Sequence, residues 1–309
     1  MSHTPYHLPV LLTQSVDGLV TDVNGIYVDG TLGGGGHSTA LLQKLGPAAT
    51  LYGLDQDDDA LAVAAASPLL SGDQRFHPVK GNFGFMDTLL HPSIVGNVSG
   101  ILLDLGVSSH QIDEGARGFS FQADGPLDMR MNAERELTAH TVVNTYSEDA
   151  LKDIFYRYGE ERHSGRIARQ IVIQRPIDST WALKRLVEKL TPGPHALKSV
   201  ARIFQAIRIE VNKELDMLER VLEASLRLLA PGGRLAVISY HSLEDRPVKL
   251  FLRSGNLAGT VSKDFYGNDL SPWTLITRQA IVADEAETRR NPRARSAKLR
   301  IAEKREVAS

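Results

Sequence analysis

An acidic residue that closes a β-rich run, followed at once by a glycine-dense turn and a helix, leaves a chain few choices of fold. Gly25-Ile26-Tyr27-Val28-Asp29 reads as the strand, Gly30 to Gly36 as the turn and His37 to Leu45 as the helix, which Gly46-Pro47 stops. Glycines there let the backbone turn tightly and approach a ligand closely. The same grammar repeats: Thr50 to Leu54 ends at Asp55, a third strand lies near Phe76 to Val79, and Gly100 to Leu103 ends at Asp104. Continuous apolar strands alternating with helices imply a parallel sheet covered on both faces.

The pattern resumes downstream with a helix from about Ala201 to Leu229, then Ala230-Pro231-Gly232-Gly233, a strand from Arg234 to Ser239 and a last strand over Leu299 to Ala302. Residues 112–205 carry helical periodicity instead. The chain of 309 residues is therefore expected to divide into a discontinuous α/β core, 1–111 and 206–309, and a mainly helical inserted domain, 112–205.

Composition narrows the chemistry. No cysteine is present, which excludes a disulfide scaffold, a cysteine-ligated cluster and a thiolate nucleophile. The ten histidines show no metal-ligand spacing, so no metal is expected. The N-terminus lacks a signal pattern and no run approaches the ~18 apolar residues of a membrane span, so a cytoplasmic protein is expected. Net charge is −2, yet Lys152 to Arg208 holds 12 Lys/Arg against 5 Asp/Glu, and Arg289 to Arg305 holds 8 against 1. Such basic stretches suit a phosphate backbone, or are simply solvated helix faces.

A dinucleotide fingerprint would read G-x-G-x-x-G, whereas here the spacing is D-x-x-x-G-x-G over Asp29, Gly33 and Gly35. That spacing resembles class I methyltransferases, whose cofactor S-adenosyl-L-methionine offers an ammonium to acidic partners and a carboxylate to backbone donors. Asp55 lies 20 residues beyond Gly35, where a carboxylate can accept both ribose hydroxyls. Phe83, after the third strand, either covers an adenine face or packs in the core.

Longer strings are similar to the bacterial 16S ribosomal RNA cytosine-N4 methyltransferases, the MraW family. They include His7 to Leu12, Asp29 to Ser38, Leu102 to Ser109, Arg117 to Phe121, Asp124 to Met131, Phe204-Gln205-Ala206, Val211-Asn212, His241 to Arg246 and Asn291 to Ser296. Gln14 and Ile203 depart from the family's usual acid and threonine. The resemblance implies a Rossmann-like class I sheet, parallel except for its last strand, with cofactor contacts at Gly35, Gly36, His37, Asp55, Phe83, Asp104 and Gln111. It also implies a substrate-recognition role for the insertion and, as substrate, a cytidine of small-subunit rRNA near the decoding site.

Methyl transfer from a sulfonium is an in-line displacement that demands alignment. Carbon-5 methylation of a pyrimidine would call for the missing cysteine; an exocyclic amine needs only a hydrogen-bond acceptor as the transition state forms. Asp104 is the expected acceptor unless it serves the cofactor alone, with Ser108 and Ser109 orienting the base. Arg117, Phe119, Phe121 and Arg130 offer base stacking and phosphate contacts, or else anchor a loop. Arg202, Gln205, Arg208 and Asn212 flank an apolar stripe running from Val200 to Leu222 and are expected to line the cleft, and Arg293 and Arg295 to meet RNA or form a solvated turn. Ser242 with Asp245 reads as a helix N-cap rather than a partner of a catalytic His241. Two other readings remain: a nicotinamide-dependent oxidoreductase on a similar sheet, and a non-catalytic RNA-binding assembly factor.

Overall fold

The computed structural model describes residues 9–306, so His7 and Leu8 of the first matched string lie outside the described residues. Two compact units are present: unit 1 combines residues up to Gly106 with those from Leu215 onward, and unit 2 runs from Val107 to Glu214.

Unit 1 opens with α1 (Leu12–Leu19), β1 (Ile26–Asp29), α2 (Gly36–Lys44), β2 (Thr50–Asp55), α3 (Asp58–Ala66), a short α4 (Pro68–Ser71), β3 (Phe76–Lys80), a short α5 (Met86–Leu89) and β4 (Val98–Asp104). Unit 2 holds α6 (Ser109–Asp113), α7 (Ala139–Thr145), α8 (Glu148–Arg157), α9 (Ser164–Ile173), α10 (Thr180–Leu190) and α11 (Ala196–Asn212). The chain then returns through α12 (Glu214–Leu228), β5 (Leu229–Ser239), α13 (Ser242–Ser254), β6 (Trp273–Leu275), α14 (Glu285–Arg290) and β7 (Lys298–Lys304).

The seven strands lie in the order β3-β2-β1-β4-β5-β7-β6. β1 to β5 pair in parallel, whereas β7 is antiparallel to both neighbours, as the expected class I sheet requires. Alternation splits each strand between two cores. Val28, Ile101, Leu103, Leu235 and Val237 pack with α12 and α13 side chains such as Leu222 and Phe251. Tyr27, Leu102, Ala236 and Ile238 pack on the other face with Leu19 and Leu41. β5 starts earlier than Arg234: Leu229 pairs with Val98 and Arg234 with Gly100, so the Pro-Gly-Gly segment bulges out between two paired residues. β6, only three residues long, left no periodicity to read.

The single helix expected from Ala201 to Leu229 is two helices. Lys213 adopts a left-handed conformation, φ 53°, and ends α11 with neither glycine nor proline to announce it. The apolar stripe is divided accordingly. Val200, Phe204, Ile207 and Val211 belong to the core of unit 2, and Leu218 and Leu222 to unit 1. The boundary consequently falls after Glu214 rather than at 205/206, which would cut α11, and before Val107 rather than at 111/112. No described helix is long and apolar enough to cross a membrane.

Candidate functional site

In unit 1 the site grows from the carboxyl ends of three adjacent parallel strands, where Asp29, Asp55 and Asp104 close β1, β2 and β4. The glycine turn is laced to its neighbours: the N–H of Gly30 donates to Leu102 O, and that of Leu32 to Leu54 O, each at 2.9 Å. Gly33 and Gly35 take φ of 49° and 75°, which only glycine adopts without strain. Gly30 admits no side chain either, since a Cβ there would meet Leu103, Met86 and Phe83. Phe83, half-buried, thus stands against the turn on the side of the core it also packs into.

Each aspartate has a different task. Asp29 is 1% exposed, and its oxygens accept from Ser38 Oγ at 2.7 Å and the Thr31 N–H at 3.1 Å, so it shapes the turn from within. Asp55 accepts from the N–H groups of Gly33 at 2.8 Å and Asp57 at 2.9 Å. Asp104 receives the hydroxyl of Tyr240 on Oδ1 at 2.7 Å, while Oδ2 lies 3.8 Å from His37 Nδ1. His37 Nε2 bonds Val10 O at 3.1 Å, fixing the ring.

Burial dominates the electrostatics. It pushes the Asp55 and Asp104 carboxyls up to about 6 against the hydrogen bonds they accept, and pushes Asp29 upward as well. Asp29 adds repulsion to both of the others. Among the described residues no Lys or Arg pairs with any of the three. Desolvated carboxylates crowded without a partner cation form a site for a positively charged ligand. Beside them α2 begins with no side-chain cap and no acid in its first turn, leaving amide donors for a ligand carboxylate.

Tyr240 was missed because it lies outside any motif; only the register that sets Ile238 of β5 beside Asp104 brings it there. Its own hydroxyl is held well above the ordinary tyrosine range by burial and by Asp104. The N–H of Tyr240 donates to buried Glu244 at 2.8 Å, and His241 Nε2 lies 3.2 Å from the same carboxylate. His241, not Ser242, occupies the N-cap position of α13, and it makes no side-chain cap. Asp245 is drawn away from that role by Arg300 and Lys298 of β7, at 2.7 and 3.3 Å.

Unit 2 uses most of its expected RNA contacts internally. Ser108 caps α6 in a reciprocal box with Gln111, which is buried, and Ser109 follows as the first helical residue. Arg117 donates to Arg130 O and Met131 O, and lies over the Phe119 ring. Arg130 grips Asp128 and the carbonyls of Ala133 and Arg135. Phe121 meets Phe204 edge-on at 5.3 Å, and both Phe119 and Phe121 anchor into the core.

The flank of α11 does not present an open row of ligands. Asn212, 1% exposed, bonds Met131 N–H, Met129 O and Arg208 O, so it cannot face an RNA. Arg208 is forked onto Glu214, Arg202 faces Glu161 at 3.7 Å and Gln205 donates to Tyr158 O. In unit 1, Arg293 is partly buried within the 3-10 turn Pro292–Ser296, and Arg295 is exposed on it. No group of His, Asp or Glu able to hold a metal ion occurs among the described residues.

Comparison with known proteins agrees with this architecture. Residues 4–305 match the model of the MraW methylase family. The chain is 50% identical over 302 residues to the ribosomal RNA small subunit methyltransferase H of Flavobacterium johnsoniae, covering 97% of this chain and 98% of that one. It is 48% identical over 304 residues, with the same coverage, to the protein of that name from Bacteroides fragilis. A strand-end carboxylate cradle on a mixed seven-stranded sheet and a full-length match at this identity lead to one assignment: the chain belongs to the MraW methylase family.

Proposed function

We propose that the protein transfers a methyl group from S-adenosyl-L-methionine to the exocyclic 4-amino group of a cytidine in 16S ribosomal RNA, near the decoding site and within the small ribosomal subunit. The observation that carries the reading is the row of three desolvated carboxylates, none paired with a Lys or Arg among the described residues, at the ends of β1, β2 and β4. S-adenosyl-L-methionine supplies an activated methyl on a sulfonium, together with an ammonium and a carboxylate. Asp55 would hold the ribose hydroxyls, the turn at Gly33, Gly35 and Gly36 with the start of α2 at His37 would receive the amino-acid end, and Phe83 would cover the base. Gln111, buried in unit 2, is assigned to the cofactor by family resemblance. A pyrophosphate would meet the same three carboxylates with like charge, which disfavours the oxidoreductase reading.

Asp104 would accept an N–H hydrogen bond from the substrate amine and take the proton that the nitrogen sheds once it carries the methyl. Its carboxylate favours the amine's loss of conjugation with the base by accepting an N–H, and Tyr240 and His37 hold it in place. With a carboxyl near pH 6, most of it is ionised at neutral pH and able to accept. Incubation of the protein with methyl-labelled cofactor and small subunits, or their RNA, should label the RNA, and nucleoside mass spectrometry should place the label on N4 of cytidine. Labelling of carbon 5 or of ribose alone refutes the amine assignment, and absence of label from both substrates refutes the reading as a whole.

A further inference from the structure

Helix α9 of unit 2 has a solvent face without an acid. From Arg162 to Ile177 the sequence contains no Asp or Glu, while Arg162, Arg166 and Arg169 are all exposed. Their spacing of four and three residues places them in one row along the helix and the turn that leads into it. A fourth cation joins from the neighbouring helix: a Cβ built at Gly165 would lie 3.7 Å from Lys152 Cδ, so the stem of Lys152 lies across Gly165 and delivers its ammonium to the same face. Tyr156, one turn after Lys152 on α8, is 69% exposed.

Two comparisons within unit 2 set this face apart. Of its other arginines, those at 117, 130, 135, 157, 175, 202 and 208 are tied to carbonyls or carboxylates, and only the exposed Arg185 of α10 is not. Lys152, Arg162, Arg166 and Arg169 have no such partner among the described residues. Helix α8 is charged in the ordinary way, with Glu148 and Asp149 in its first turn and Arg157 paired to Asp153 near its end. α9 has no acid and no side-chain cap at its start, and instead carries cations there, against the helix dipole. Cations left unpaired against their local field are explained by a partner that brings the negative charge.

We propose that Lys152, Arg162, Arg166 and Arg169 form a docking surface for the phosphate backbone of the rRNA substrate, with Tyr156 available to stack on an unpaired base beside it. The proposal rests on the reading of rRNA as substrate, and it moves the RNA contacts of unit 2 away from Arg130, Arg208 and Asn212. Lys152, Arg166 and Arg169 lie on helices packed into the core of unit 2, and Arg162 on the turn that leads into α9, so the surface is formed before RNA arrives.

The test compares the wild-type protein with a fourfold variant, Lys152→Gln with Arg162→Gln, Arg166→Gln and Arg169→Gln, using in vitro transcribed 16S rRNA as probe over a range of salt. Loss of four phosphate contacts should make the slope of log affinity against log salt shallower by about 3. The KM for RNA should rise at least tenfold with kcat and S-adenosylhomocysteine affinity held, while a charge-preserving variant with Arg162→Lys, Arg166→Lys and Arg169→Lys should retain the slope. An unchanged slope and KM in the Gln variant overturns the surface. Methyl transfer by the wild type decides the substrate reading separately, because the slopes are measured by binding alone.

Discussion

The strand ends of unit 1 and the polar side chains of unit 2 treat buried charge in opposite ways. At the sheet edge, Asp29, Asp55 and Asp104 are desolvated, Asp29 repels the other two, and none has a Lys or Arg partner among the described residues. In unit 2, Arg130 has Asp128, Arg208 has Glu214, and buried Asn212 fills three hydrogen bonds. A charged group whose countercharge is already present supports the fold; one held out of water with hydrogen bonds but no basic side chain to balance it leaves that charge for a ligand. Residue type alone does not separate the two, since Arg208 and Asp104 are equally persuasive as letters in a motif.

The largest effect that could break this contrast is at Asp104. Asp104→Asn keeps the shape and most of the local bonding but removes the anionic acceptor, and should lower methyl transfer by at least about 100-fold with the unfolding transition little changed. Single-turnover transfer of labelled methyl measures it. Near-wild-type turnover would place Asp104 with the structural aspartates. The converse change is Asn212→Ala, which leaves the Met131 N–H and the Met129 carbonyl of unit 2 without their partner and should cost about 2–4 kcal/mol in denaturant unfolding. Its binding of S-adenosylhomocysteine below the transition should match wild type. Stability unaffected by the substitution would return Asn212 to the list of RNA ligands.

The desolvated carboxylates of Asp55 and Asp104 also set a pH dependence. Their folded-state values lie above the ordinary aspartate range, so the ligand-free protein takes up protons on folding. The stability this provides is complete below about pH 4 and is lost as pH rises through about 6. A cationic ligand favours the ionised forms, so affinity for S-adenosyl-L-methionine should move the other way. From pH 7 to pH 5 it should fall by up to about tenfold for each of Asp55 and Asp104, as their ionised fraction drops to about one-tenth. Calorimetric titration over that range tests it, and a flat affinity would mean that neither carboxylate senses the ligand's charge.

Legibility in the sequence follows the same division. Strand ends are readable because an apolar run closes on an acid, at Asp29, Asp55 and Asp104 alike, with glycine following at Asp29 and Asp104 and the 20-residue offset from Gly35 marking Asp55. The break at Lys213 was not readable, because the apolar stripe stays in phase from Val200 to Leu222 while passing from one core to another. Nor was the self-sufficiency of Asn212, whose partners Met129 and Met131 are more than 80 residues away in sequence. The cations at Arg162, Arg166 and Arg169 were visible only as part of a basic stretch; which members of that stretch are already neutralised is decided by packing.

The smallest expected effect sharpens the comparison most, because Tyr240 touches Asp104 without belonging to the three-carboxylate row. Its hydroxyl stabilises the ionised form of Asp104, and a hydrogen bond to a charged group contributes about 1.5–3 kcal/mol in favourable cases. Tyr240→Phe removes that donor while keeping the ring, so the Asp104 carboxyl should rise by about one unit. The pH profile of kcat should shift upward by the same amount. Near pH 7 the ionised fraction would drop from about nine-tenths to about half, a loss of roughly twofold in rate that vanishes at higher pH. A rate lowered equally at all pH values would show that Tyr240 orients Asp104 without tuning it, and an unmoved profile would show that burial alone sets the carboxyl.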